Sequence, residues 1–206
     1  MCGLTGYIRT EGKNDSKKAL KNFKKLFLKA QARGQDTAGL FLLLKRVKDG
    51  EMFALTIKTD GSIKSIFECD DFIDVESGIN SSTFQLELAL SHTRMATVGD
   101  TSDPIENQPL ISENNEYIFF NGIVTPQNHL ANLYLADGEN DGWTFRNINL
   151  SDLGTESGVV NLLRFNADLG QLDVYTNNGD LFYLNHGFGK YITSDNRFLE
   201  KLFPAT

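Results

Sequence analysis

Cysteine is scarce. Cys2 and Cys69 are the only two among 206 residues. Two thiols make no disulfide framework and have no metal-ligand spacing, which points to a reducing cytoplasm. Histidine is nearly as rare: His92, His129 and His186 stand far apart, at no spacing that suggests a metal site. We read all three, and Cys69 in its acidic segment, as structural. Long apolar runs are missing too. Leu40-Phe41-Leu42-Leu43-Leu44 is far too short to span a bilayer, so no membrane association is expected. No apolar segment follows a basic head at the N-terminus, so no secretory signal is expected either. Repeats, low-complexity segments and linkers are absent, leaving a single domain over residues 1–206 as the expectation. Positive charge is also in short supply. A net charge of −7 argues against a nucleic-acid-binding surface.

What is present is ordinary for a globular chain, with 40% hydrophobic and 23% charged residues. One basic feature stands out. Lysines 17, 18, 21, 24, 25 and 29 fall in a stretch with no acid, leaving 14 basic against 27 acidic residues elsewhere. A helix from a cap at Asp15 or Ser16 to about Ala32 puts Leu20, Phe23, Leu26, Phe27 and Ala30 on one arc. The lysines take the opposite arc, as a solvated face in preference to a docking surface. Strands are expected at 3–9, 38–44, 51–58, 62–67, 84–92 and 116–120, with Asp60-Gly61 turning a hairpin. Residues 69–82 read as acidic and irregular, and a long loop runs to Pro109. Pro126 opens a helix to about 135. The Gly-, Asp- and Asn-rich residues 136–154 read as a surface excursion. A helix from Thr155 or Ser157 turns Val159, Val160, Leu162 and Leu163 inward. Strands at 172–176 and 181–185 pair across 177–180, and a last strand at 190–193 precedes a short helix. The pattern is α+β.

The chemistry gathers on Met1-Cys2-Gly3. If Met1 is removed, the thiol and a free α-amine share one residue. That amine titrates near ~7.7–8.0, so it can serve the thiol as general base without a histidine. Blocks along the chain then resemble a known family in its order: MCGLTGYI, ARGQDTAGL, SHTRMAT, ENQPL, FFNGIV, TESGVVNLL and YITSDNRFL. The chain resembles a glutaminase domain of the class II glutamine amidotransferases, which belong to the N-terminal-nucleophile hydrolases. The resemblance implies a four-layer αββα sandwich of two mostly antiparallel sheets, with no cofactor and no metal.

It also implies roles. Cys2 is the nucleophile, and the Asn121 side-chain amide with the Gly122 backbone N–H hold the oxyanion. Arg94, whose planar fork suits a carboxylate, grips the glutamine α-carboxylate, with Thr97 beside it. Glu156 stands where the family has aspartate for the substrate ammonium, and Arg33 lies near the nucleophile and orders the site. Met95 replaces the family's usual tryptophan. The substrate implied is glutamine; no synthase segment is expected in this chain, so the ammonia goes to a separate synthase protein, or the chain is part of a larger parent. Two alternatives stay open: an N-terminal-cysteine amide hydrolase acting on another acylated amine, and a regulatory or assembly module with a weakened site. A papain-like Cys–His protease fits worst, because no block requires a histidine.

Overall fold

The first strand of the chain lies inside a sheet, with a hydrogen-bonded neighbour on each side. In a computed structural model that describes residues 2–12, 15–95, 101–124, 140–146, 148–149, 158–177 and 179–204, β1 (Gly3–Arg9) runs between β4 (Phe84–Arg94) and β10 (Gly189–Thr193). β2 (Thr37–Arg46), β3 (Met52–Thr59) and β9 (Phe182–His186) complete a sheet ordered β3-β2-β4-β1-β10-β9. A second sheet is ordered β5-β6-β7-β8, from Leu110–Ile111, Glu116–Val124, Gly158–Asn166 and Gln171–Asn177. Every pairing is antiparallel.

Alternation along the strands divides the core into layers. Leu40, Leu42 and Leu44 of β2 face a helical layer, while Phe41 faces the second sheet. Between the sheets, Leu4, Phe41, Leu88, Leu90 and Ile192 meet Phe119, Leu163 and Phe165. The helical layer is α1 (Ser16–Ala30), α2 (Ile63–Glu68), α3 (Asp70–Asn80) and α4 (Asn196–Leu202). The fold is a mixed α+β sandwich, as the resemblance implies. Over the outer face of the second sheet, the described residues supply a 3₁₀ turn, Asp141–Phe145.

α1 follows its sequence closely. Asp15 caps it by accepting the Lys18 N–H at 3.0 Å, and Leu20, Phe23, Leu26, Phe27 and Ala30 are fully buried or nearly so. Most of its lysines point outward, but Lys24 turns to Glu76 at 2.7 Å and lies over the Phe67 and Phe72 rings. That lysine belongs to the packing of α1 on α3 and not to a purely solvated face.

Four expectations are corrected. Residues 62–67 form no strand, because the Ser62 hydroxyl accepts the Lys64 N–H at 3.1 Å and starts α2. Residues 69–82 are not irregular: Asp70 and Asp71 sit in the first turn of α3, where its dipole favours acids, and Phe72 and Ile79 are buried from one face. Residues 158–166 form a strand and not a helix. Val160 and Leu162 pack to one side of β7 and Leu163 and Phe165 to the other, so a strand buried on both faces mimics helical spacing. Finally, the strands after Gln171 do not pair with each other: β8 pairs with β7, and β9 with β10, in different sheets. The expected helix at 126–135 lies outside the described residues.

Candidate active site

Cys2 precedes β1 and shares the side of Leu4, so it faces the second sheet across the gap. Arg94 ends β4 on the side of Leu90, facing the same gap. Asn121 follows Phe119 by two in β6 and faces back toward the first sheet. Strand alternation thus brings three separate blocks to one place.

The contacts there are direct. The Cys2 main-chain N–H donates to the Asn121 Oδ1 at 3.1 Å. This engages the acceptor end of the amide and leaves its NH2 end for another oxygen. The Met95 N–H points at Cys2 Sγ at 3.5 Å, and the thiol points to the Met95 carbonyl at 3.7 Å. Burial raises the Cys2 thiol above its ordinary pKa; the Met95 backbone and the Arg94 charge work the other way, while the Asp141 carboxylate adds to the rise. Gly122 admits no side chain, since a Cβ there would lie 1.8 Å from the Val159 carbonyl oxygen. Gly3 is equally constrained: a Cβ would meet Thr93 Oγ1 at 2.6 Å and the Ala30 carbonyl at 2.8 Å, where α1 ends against β1. Only glycine lets the nucleophile's strand lie that close to the helix.

Arg94 is 2% exposed, and its Nη1 donates to the Asn107 Oδ1 at 2.9 Å and the Glu106 carbonyl at 3.3 Å. Arg33 holds the backbone under the thiol. Its Nε donates to the Cys2 carbonyl at 3.1 Å and its Nη1 to the Ser194 carbonyl at 2.7 Å, with Asp195 at 3.5 Å. Two openings adjoin Cys2. One is a recess of about 20 Å3 lined by Arg94, Gln108, Phe120, Asn140 and Asp141. The other is a cavity of about 310 Å3 whose walls include Met95, Ile123, Val159, Asn161 and Asp180. Cys2, Met95 and Gly122 border both. Thr97 and Glu156 lie outside the described residues.

No protein-family model matches the chain. It is 30% identical over 178 residues, 82% of its length, to glutamine–fructose-6-phosphate aminotransferase (isomerizing) 1 of Rattus norvegicus. Proteins of the same name without the final number, from Oceanobacillus iheyensis and Clostridium perfringens, are 33% and 26% identical, each over 138 residues, or 66% and 67% of this chain. The chain spans 24%, 19% and 19% of the lengths of these relatives. It belongs to the class II glutamine amidotransferases.

In this amidotransferase domain the ENQPL block does more than the sequence suggests. Glu106 takes the Asn140 N–H at 2.5 Å and the Trp143 indole N–H at 3.1 Å on its two carboxylate oxygens. Asn107 grips Arg94. Gln108 pairs with Phe120 like a strand residue, giving its Nε2–H to the carbonyl at 2.9 Å and taking the N–H at 2.6 Å. The residue after Phe120 is Asn121, so Gln108 fixes the strand that presents it.

The supposed surface excursion is likewise corrected for its described residues, 140–146 and 148–149. Trp143, Phe145 and Ile148 are buried on Leu110, Ile118, Phe120 and Leu162, and the Arg164 Nη1 ties down the Phe145 and Ile148 carbonyls at 3.2 and 2.7 Å. That packing delivers Asp141 to the recess, with the Val124 N–H on its Oδ2 at 3.5 Å and its carboxyl pKa raised by burial. Sequence reasoning missed Asp141 because glycine and asparagine dominate its neighbours. The signal was Trp143-Thr-Phe145, an apolar pair two residues apart inside a polar segment.

Proposed function

We propose that this chain hydrolyses the side-chain amide of glutamine to glutamate and ammonia through a thioester on Cys2. The observation that carries the reading is the double hold on Cys2. Its nitrogen is on Asn121 and its sulfur lies against the Met95 backbone, at the mouth of the recess that contains Arg94.

With Met1 removed, the Cys2 α-amine takes the thiol proton and the thiolate attacks the amide carbon. The Asn121 NH2 and the Gly122 N–H stabilise the oxygen as it becomes negative. The amine returns the proton to the nitrogen, the C–N bond breaks and ammonia leaves. Water then attacks the thioester by the reverse logic, giving glutamate and the free thiol. Arg94 receives the α-carboxylate. Asp141, at the recess with Arg94, is the carboxylate for the α-ammonium among the described residues, beside Glu156, to which the resemblance assigns that role; Thr97 is kept as a substrate-binding residue. At about 20 Å3 the recess must open to admit the amino-acid end of glutamine. Met95, 55% exposed, is its outermost wall. The ammonia goes to a separate synthase partner, and the free nucleophilic thiol suits a reducing cytoplasm. Among the described residues no helix is long and apolar enough to cross a membrane.

The test is glutamate release from glutamine by protein lacking Met1, with hydroxylamine added to trap the acyl-enzyme as a hydroxamate. Turnover that disappears in Cys2→Ala supports the reading. Neither glutamate nor hydroxamate from the processed protein would end it.

A further inference from the structure

The leaving group of glutamine is ammonia, a molecule about the size of water, which occupies roughly 30 Å3 in the liquid. The cavity on the side of Cys2 away from Arg94 and Asp141 holds about ten times that. A substrate whose carbonyl carbon meets the thiol, with its amino-acid end in the recess, directs its amide nitrogen toward this cavity. The reaction with glutamine gives it no occupant of matching size.

Its walls are chemically sorted. Asn121 and Ile123 on β6 stand opposite Asn161 and Val159 on β7, one residue pair beside the other on the inner face of the sheet. Ile123 is 64% exposed and Val159 43% exposed. With Met95 they make up the apolar part of the cavity wall. Asn161, opposite Asn121, and Asp180 supply its polar part. Thr176 donates to the Asn161 Oδ1 at 2.7 Å, which leaves the NH2 end of that amide. Gly179 lies against Asn161 so tightly that a Cβ would come within 2.7 Å of Oδ1, and it brings the turn with Asp180 to the rim. The cation on the same cavity, Arg33, is occupied with the Cys2 and Ser194 carbonyls and with Asp195. An aliphatic chain ending in an ammonium matches a cavity that combines these apolar walls with the Asp180 carboxylate.

Resting on the glutaminase reading above, we propose that the site also takes γ-glutamyl amides whose nitrogen carries an aliphatic amine, and releases that amine. The step balances as it does for glutamine. The Cys2 sulfur bonds to the γ-carbon, the C–N bond breaks, and the departing nitrogen takes the proton held by the Cys2 amine. Water then cleaves the thioester, so the products are glutamate and a diamine.

The experiment compares glutamate release from glutamine, N-γ-glutamyl-butylamine and N-γ-glutamyl-1,4-diaminobutane by the same processed protein. Both substituted amides should be hydrolysed with kcat/KM within about tenfold of glutamine. The aminobutyl compound should lead the butyl one by about two- to fivefold, the scale of an exposed ion pair. Asp180→Asn should bring that ratio to about one, and 0.5 M salt should compress it. Glutamine turnover with inert substituted amides overturns the proposal and leaves the glutaminase reading standing. So does a raised KM for glutamine in Asp180→Asn, which would mean that the cavity holds the amino-acid end. No glutamate from any of the three, with no hydroxamate from hydroxylamine, defeats both.

Discussion

The main-chain nitrogen of Cys2 and the side-chain oxygen of Asn121 are hydrogen-bonded at 3.1 Å across 119 residues of sequence. In the proposed mechanism one asparagine orients the nitrogen that serves as base and offers its other end to the oxyanion. The base function depends on that nitrogen being an amine. While Met1 is attached it is a peptide nitrogen, which accepts no proton at neutral pH.

Glutaminase activity should therefore track removal of Met1. Intact mass and N-terminal sequencing set beside glutamate release would show it, and full activity in Met1-bearing protein would refute the amine as base. A glutamine-like diazoketone should label Cys2 and spare Cys69, whose thiol is turned to the Ile66 carbonyl at 3.2 Å. Cys2→Ser should lose activity and Cys69→Ser keep it.

Arg94→Lys and Asn121→Ala should fail differently. The carboxylate is bound alike in ground and transition states, so losing the fork should raise KM tenfold or more with a small change in kcat. The oxyanion exists only in the transition state. Asn121→Ala should lower kcat by about 10²–10³. A kcat left intact by Asn121→Ala would remove Asn121 from the oxyanion site.

His92 makes the fold sensitive to acid. It is buried, its ring nitrogens are poorly satisfied, and burial with the nearby Arg94 charge outweighs the Phe120 backbone and holds its pKa down to about 3. The unfolded chain takes up this proton near pH 6.5, before the folded one does. The stability tied to neutral His92 is thus complete above pH 6.5 and declines as pH falls toward 3, by an amount on the order of 4 kcal/mol at the lower end. Urea midpoints between pH 7 and pH 4 should fall more steeply for the native sequence than for His92→Leu. Parallel curves would show that the buried imidazole is not the cause.

The lysines of α1 should separate by packing. Lys18, Lys21 and Lys25 are exposed, and reversing their charge should leave Tm nearly unchanged. Lys24→Ala removes an ion pair and two ring contacts, at a cost of about 1 kcal/mol. Equal shifts from the exposed three would assign them a structural part as well.

Much of this was legible in the sequence where one local signal met no competitor. The apolar arc of α1 and the unbroken run of β2 needed nothing from the rest of the chain to be read. Residues 62–67 and 158–166 were misread for opposite reasons. Asp60-Gly61 offered a turn that Ser62 outcompeted by capping a helix, and the two buried faces of β7 imitated a helical stripe. Among site residues, Cys2, Asn121 and Arg94 were singled out through blocks that resemble the family, and the fold brings them to one place. Glu106 and Gln108 act by holding backbone and side chains from elsewhere, and Asp141 arrives by the burial of Trp143 and Phe145; such roles leave no local trace.

The pairing of β1 with β10 sets a condition on how this protein is made. Gly3–Arg9 leaves the ribosome well before its partner Gly189–Thr193. The Leu4 N–H waits for the Ser194 hydroxyl and Arg33 for the Ser194 carbonyl. A nascent chain stopped before residue 189 therefore carries Asn121 and Met95, which hold Cys2, but lacks Ser194, which pins Leu4 and Arg33. Pairing across such a separation is slow to form, and a thiol without its alignment is chemically quiet. Under the proposed glutaminase reading, hydrolysis is therefore expected only after β10 has joined β1.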